Sequence, residues 1–116
     1  VIVNVASVAA DRATPYQSIY AASKAAIVAM TKSAAWEYGQ FGIRVISVGP
    51  SAIDTPMINA FANGNPEEVK KMRAASNPLG RIAQPEEVAN LIAFLSSEMA
   101  SFMTGSNVLI DGGNRK

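Results

Sequence analysis

With 116 residues, 49% of them apolar and 16% charged, the chain suits one modest globular domain and is too short for two. A net charge of +1, carried by scattered lysines and arginines, gives no sign of a nucleic-acid or membrane partner. Histidine and cysteine are both absent, which removes Ser–His and Cys–His hydrolysis, thiolate chemistry, disulfides and most zinc sites. Acid–base work near neutral pH is left to a carboxylate, a lysine or a tyrosine, and no metal site is expected.

The chain opens in "VIVNVAS", a β-branched apolar run of the kind that forms a strand covered on both faces in a parallel sheet. Its start at Val1, in mid-strand, suggests a truncated domain. The polar "VAADRATPYQS" reads as a loop. One long helix is expected from about Pro15 to Tyr38, because seven alanines lie between Ala21 and Ala35, with Gly39 and Gly42 ending it. "IRVISVG" is a second strand, cut off by Pro50, and "PSAIDTPMINAFANGN" follows as an apolar loop. Asn65, Pro66, Glu67 and Glu68 form a helix start ahead of "VKKMRAAS". Pro85, Glu86 and Glu87 form another, ahead of an apolar stripe at Val88, Leu91, Ile92 and Leu95. "SNVLIDGG" is a third strand, closed by Gly112 and Gly113. Strands alternating with helices predict an α/β fold with a parallel sheet and right-handed crossovers.

Tyr20 and Lys24 stand four residues apart on the long helix, and so on one face of it. An ammonium there favours the ionised phenol, which could then exchange a proton with an alcohol or a carbonyl oxygen. The alanines around the pair let a flat body approach closely. Ser7 sits just beyond the first strand, where open α/β sheets place their ligand sites, and thirteen residues allow the chain to return to Tyr20. Taken singly, Tyr20–Lys24 is a common spacing and Ser7 an ordinary turn residue.

Together, "VNVAS", "YAASK", "GPSAIDTPM" and "TGSNVLIDGG" resemble the carboxyl-terminal half of a short-chain dehydrogenase/reductase, in order and in spacing over the whole chain. The resemblance implies a single partial domain over residues 1–116. Three strands with flanking helices would form the carboxyl-terminal part of a Rossmann-like doubly wound sheet, without its amino-terminal half. It implies an NAD- or NADP-dependent oxidoreductase that passes a hydride between nicotinamide and a small carbonyl compound or secondary alcohol. Tyr20 would be the acid–base, Ser7 would polarise the substrate oxygen, and Lys24 would hold the nicotinamide ribose. The cofactor would be bound by Tyr20, Lys24, Pro50, Ser51, Ile53 and Thr55, with Pro50 against the nicotinamide and the Ile53 backbone at its carboxamide. Met57 to Pro78 would be a substrate lid, with Met57, Ile58 and Phe61 covering the substrate. A homo-tetramer is implied too, with Arg81 and Asp111 as structural residues, and the absence of cysteine fits a cytoplasmic location.

Three positions depart from the family pattern. Ser51 stands for a glycine, which requires a backbone that avoids positive φ; Ser47 stands for an asparagine, and Ala6 for a serine. No glycine-rich turn follows a strand, so the pyrophosphate site and the residue choosing NAD or NADP are not expected in this chain. The 116 residues alone are therefore expected to be inactive, and the first strand to present an unpaired apolar edge. The competing expectation is a non-catalytic remnant whose alanine-rich helix serves in assembly. A serine–lysine hydrolase is disfavoured, since no Ser-x-x-Lys or G-x-S-x-G stretch exists.

Overall fold

A computed structural model describes residues 1–60 and 64–114. The three β-branched runs become three parallel strands, β1 (Ile2–Val5), β2 (Val45–Pro50) and β3 (Asn107–Ile110), in the order β1-β2-β3. The register pairs Val5 with Val48 and Pro50 with Ile110, so all three carboxyl ends reach the same edge. β2 lies between the other two, and Val45 to Gly49 are buried. Ile46 and Val48 join Leu95 and Ala100 in the core, with Val3, Leu91, Ile92, Met103 and Val108 packed around them.

β1 departs from expectation in one respect. It is not covered on both faces: Val1, Ile2 and Val5 are about half exposed, because β1 pairs with β2 alone among the described residues. The apolar edge expected of this strand is therefore present.

The long helix α1 runs Ser18–Tyr38, three residues later than the predicted start at Pro15. Thr14 to Tyr16 turn instead, with Gln17 N–H bonded to the Thr14 carbonyl and Tyr16 held at a positive φ of 62°. Its end differs too. Gly39 keeps right-handed geometry and opens a 3-10 turn over Gly39–Phe41, and only Gly42, at φ 73°, reverses the chain. α1 docks through Val28, Thr31 and Ala35. Thr31 Oγ1 accepts from Asn4 Nδ2 at 3.0 Å and donates to the Ile27 carbonyl, which fixes the helix over β1. Ile19, Met30 and Trp36 are exposed.

The stretch expected as a loop after β2 contains a short helix, α2 (Pro56–Ala60). Phe61 of the expected lid lies outside the described residues. α3 (Pro66–Ala74) starts as predicted, with Asn65 Oδ1 accepting the Glu68 N–H. α4 (Pro85–Ser96) carries the predicted stripe inward, with Leu95 fully buried. Among the described residues no helix is long and apolar enough to cross a membrane.

Two charged groups lock α4 in place. At its carboxyl end, Arg44 donates to the carbonyls of Leu95, Ser97 and Met103 at 2.9, 3.0 and 3.3 Å. At its amino end, the Glu87 carboxylate accepts the Gln84 N–H and a two-pronged contact from Arg81 at 2.7 Å on each prong. The Arg81 bond first, and the Gln84 N–H second, hold the Glu87 carboxyl down from 4.5 to about 2. A depressed carboxylate stabilises the fold above its unfolded pKa, and that stabilisation fades as pH falls through the folded value. The stability gap between wild type and Glu87→Gln should therefore be full at neutral pH and close between pH 4.5 and about 2, as read from urea midpoints. A gap that stays constant over that window would contradict the assignment. Arg44→Met should cost about 3 kcal/mol in denaturant unfolding, because it strips donors from three carbonyls at once.

Candidate active site

The aligned strand ends open onto a cleft of about 920 Å³. Ser7 and Val8 reach it from the end of β1, Tyr16 from the turn before α1, and Ile19 and Tyr20 from the start of α1. Pro50, Ser51, Ile53 and Thr55 reach it from the loop after β2, and Met57 and Ile58 from α2. Parallel register is the cause: each strand hands its following loop to the same edge, and the crossover returns the helix start there.

Of the residues singled out in the sequence, Ser7, Tyr20, Pro50, Ser51, Ile53, Thr55 and Met57 all line this cleft. Ser7 is buried at its wall, with Oγ accepting the Ala9 N–H at 3.2 Å as the cap of the 3-10 turn Val8–Ala10. That bond leaves the hydroxyl proton free to be donated elsewhere. Tyr20 is 45% exposed at the cleft. Lys24 does not line the cleft. Its Nζ donates to the Val5 carbonyl at 3.1 Å and lies 5.7 Å from the centre of the Tyr20 ring. The strand end thus holds the ammonium beside the phenol and still leaves two of its three N–H donors.

The three departures fit their settings. Tyr16 is the only non-glycine residue at positive φ among the described residues, so Ser51 adopts a backbone open to any side chain. Ser47 is fully buried, and its hydroxyl donates to Asn107 Oδ1 at 3.0 Å. Ala6 is buried beside Ser7.

The loop after β2 is held by a parallel bridge between Ile53 and Ala83. The bridge uses the Ala52 carbonyl and the Asp54 N–H, which leaves Ile53's own N–H and carbonyl facing away from Ala83. Thr55 Oγ1 lies 3.5 Å from that carbonyl.

Sequence reasoning missed the residues that fasten the loop carrying α1 to the sheet. Asp11 Oδ2 accepts from Asn107 Nδ2 at 2.7 Å, and Arg12 pairs with Asp111 just after β3. Asp111 thus takes the structural part expected of it, and Arg81 does so through Glu87. Asn114 Nδ2 reaches Ser51 Oγ and Ser76 Oγ at 3.4 and 3.2 Å, closing the cleft's far wall. Partners 96 and 99 residues apart leave no periodic trace in a sequence.

A family model described as enoyl-(acyl carrier protein) reductase matches residues 1–115. The chain belongs to the short-chain dehydrogenase/reductase family. It is 45% identical over 112 residues to the 3-oxoacyl-[acyl-carrier-protein] reductase FabG of Thermotoga maritima, covering 97% of this chain and 44% of that protein. Among solved structures, 4-hydroxyisoleucine dehydrogenase complexed with NADH matches 97% of this chain and 45% of its own, at a TM-score of 0.88 and 37% identity. The L-sorbose reductase of Gluconobacter frateurii, complexed with NADPH and L-sorbose, matches 99% and 47%, at 0.92 and 34%. The chain spans less than half the length of each of these family members.

Breaking the Arg12–Asp111 pair should loosen the wall that brings Tyr20 to the strand ends. Both side chains are at most one-fifth exposed, so Asp111→Ala should cost about 3 kcal/mol by leaving an unpaired guanidinium. The double variant Arg12→Met, Asp111→Leu should recover most of that loss in thermal unfolding. Recovery of none of it would show that the pair is not what Asp111 contributes.

Proposed function

We propose that this chain is the proton-transferring, carboxyl-terminal half of an NAD(P)-dependent oxidoreductase acting on a small carbonyl compound or secondary alcohol. The observation that carries the proposal is the convergence of Ser7 and Tyr20 on one cleft, with an anchored ammonium 5.7 Å from the phenol ring. When bound, nicotinamide supplies the hydride donor or acceptor. The other steps belong to this chain's own side chains.

In the reducing direction the Ser7 hydroxyl donates a hydrogen bond to the carbonyl oxygen and draws charge towards it. The Tyr20 hydroxyl gives its proton to that oxygen as the alcohol forms, and Lys24 stands opposite the negative charge left on the phenolate. The oxidising direction reverses the transfer: Tyr20 takes the alcohol proton.

The residues of the cleft fit a nicotinamide. A flat ring finds apolar cover at Pro50 and Ile53, and a carboxamide finds a donor and an acceptor in the Ile53 peptide groups turned away from Ala83. Thr55 adds a hydroxyl at the same place and Ser51 the backbone beside it, while Lys24, behind Tyr20 and outside the lining, keeps two N–H donors that ribose hydroxyls could use. Met57 and Ile58 on α2 bound the substrate side with apolar surface that would keep water from the reacting carbon. The sequence holds no glycine-rich turn after a strand, so the diphosphate of the cofactor would be held by residues outside it. The 116-residue chain alone should therefore fail to oxidise NADH or NADPH with any ketone.

In the full-length enzyme, Tyr20→Phe should lower kcat about 10²–10⁴-fold while leaving the dissociation constant for NAD(P)H within a few-fold. Ser7→Ala should lower kcat by a smaller factor. Unchanged kcat in Tyr20→Phe would refute the proton-transfer role.

A further inference from the structure

The cleft's charge is uneven. Its lining includes two arginines, Arg12 and Arg73, and no aspartate, glutamate or lysine among the described residues. The two arginines are differently placed. Arg12 is bound to Asp111, and its Nη1 is buried with no hydrogen-bond partner, so its charge is offset and largely shut away. Arg73 stands exposed in the last turn of α3.

Four arginines fall among the described residues, and three have partners for their guanidinium groups: Arg12 in Asp111, Arg44 in three carbonyls, Arg81 in Glu87. Among the described residues the Arg73 guanidinium makes no hydrogen bond or ion pair, and its carbonyl accepts from Ser76 and Asn77. The neighbouring cation on α3, Lys70, is neutralised by Asp54 at 2.9 Å and Glu67 at 3.5 Å. Among the described residues, Arg73 is thus the cleft-lining arginine whose guanidinium has no partner. A guanidinium presents a fork of donors matched to a carboxylate or a phosphate, and neither Ser7 nor Tyr20 needs such a group for proton transfer.

We propose that the molecule transformed in this cleft carries an anionic oxygen group, a carboxylate or a phosphate, which Arg73 binds while the reacting carbon lies at Tyr20. The proposal rests on reading the cleft as an active site. Arg12, pinned by Asp111, forms the fixed wall beside Tyr16 and Gln17. Arg73, exposed in the last turn of α3, offers the cleft a guanidinium with no acid partner among the described residues.

The test uses the full-length enzyme and matched ketones: levulinate beside methyl levulinate, and dihydroxyacetone phosphate beside dihydroxyacetone. At least one anion should be reduced with a kcat/KM about tenfold above its neutral partner. Arg73→Leu should erase that preference by raising KM for the anion with little change in kcat, and Arg73→Lys should keep part of it. The two pairs separate carboxylate from phosphate. Neutral ketones reduced as well as the anions, in a Tyr20-dependent way, would overturn the substrate class and leave the proton-transfer reading standing. A preference that survives Arg73→Leu would overturn the role of Arg73. So would a variant whose raised KM is for NADH or NADPH, since the guanidinium would then serve the cofactor's diphosphate. Loss of Tyr20-dependent turnover across all four ketones would remove both readings together.

Discussion

The parallel register of three short strands is the constraint on which the rest of the molecule depends. β2 is buried from Val45 to Gly49 and bonds to a neighbour on each side, so it cannot slip without turning core residues outward. With that register fixed, Ser7, Ser51 and Asp111 all emerge at one edge. No single residue makes the cleft. The cleft is the region where three loops must leave the sheet.

Polar contacts then refine what the register sets out roughly. Thr31 bonds Asn4, Lys24 bonds the Val5 carbonyl, and Arg12 and Asp11 tie the preceding loop to the far strand. Each contact joins α1, or the loop before it, to a strand end, so Tyr20 is positioned from three directions. The Lys24 contact is the most economical of them. One N–H holds the helix to β1, and the charge so fixed stands near the phenol.

Much of this was legible in the sequence where local physics decides the outcome. Asn65 and Pro66 begin α3, the stripe from Val88 to Leu95 turns inward, and the β-branched runs form strands because propensity, capping and period agree there. The failures have physical causes too. Alanine-rich composition could not show that Thr14–Tyr16 would turn before α1, since the loop leading into that turn is tied to β3 by Arg12 and Asp11 reaching across the sheet. Gly39 looked like a stop but kept helical geometry, and Gly42 alone needed the left-handed region. α2 was missed because five residues carry too little periodicity. Of the cleft, sequence offered Ser7, Tyr20 and the Pro50–Met57 stretch. Arg73 and Asn114 were invisible as lining, because helix faces and chain returns are settled only by packing.

The account stands or falls on two hydroxyls meeting at one substrate oxygen. The most direct measurement is a crystal structure of the full-length enzyme with NAD(P)H and a non-reducible amide analogue of its ketone. The account predicts Tyr20 Oη and Ser7 Oγ each within about 3 Å of the amide oxygen, with Lys24 still bonded to the Val5 carbonyl. A phenol turned to solvent, with Ser7 bonded only to the Ala9 N–H and the analogue seated elsewhere, would contradict it.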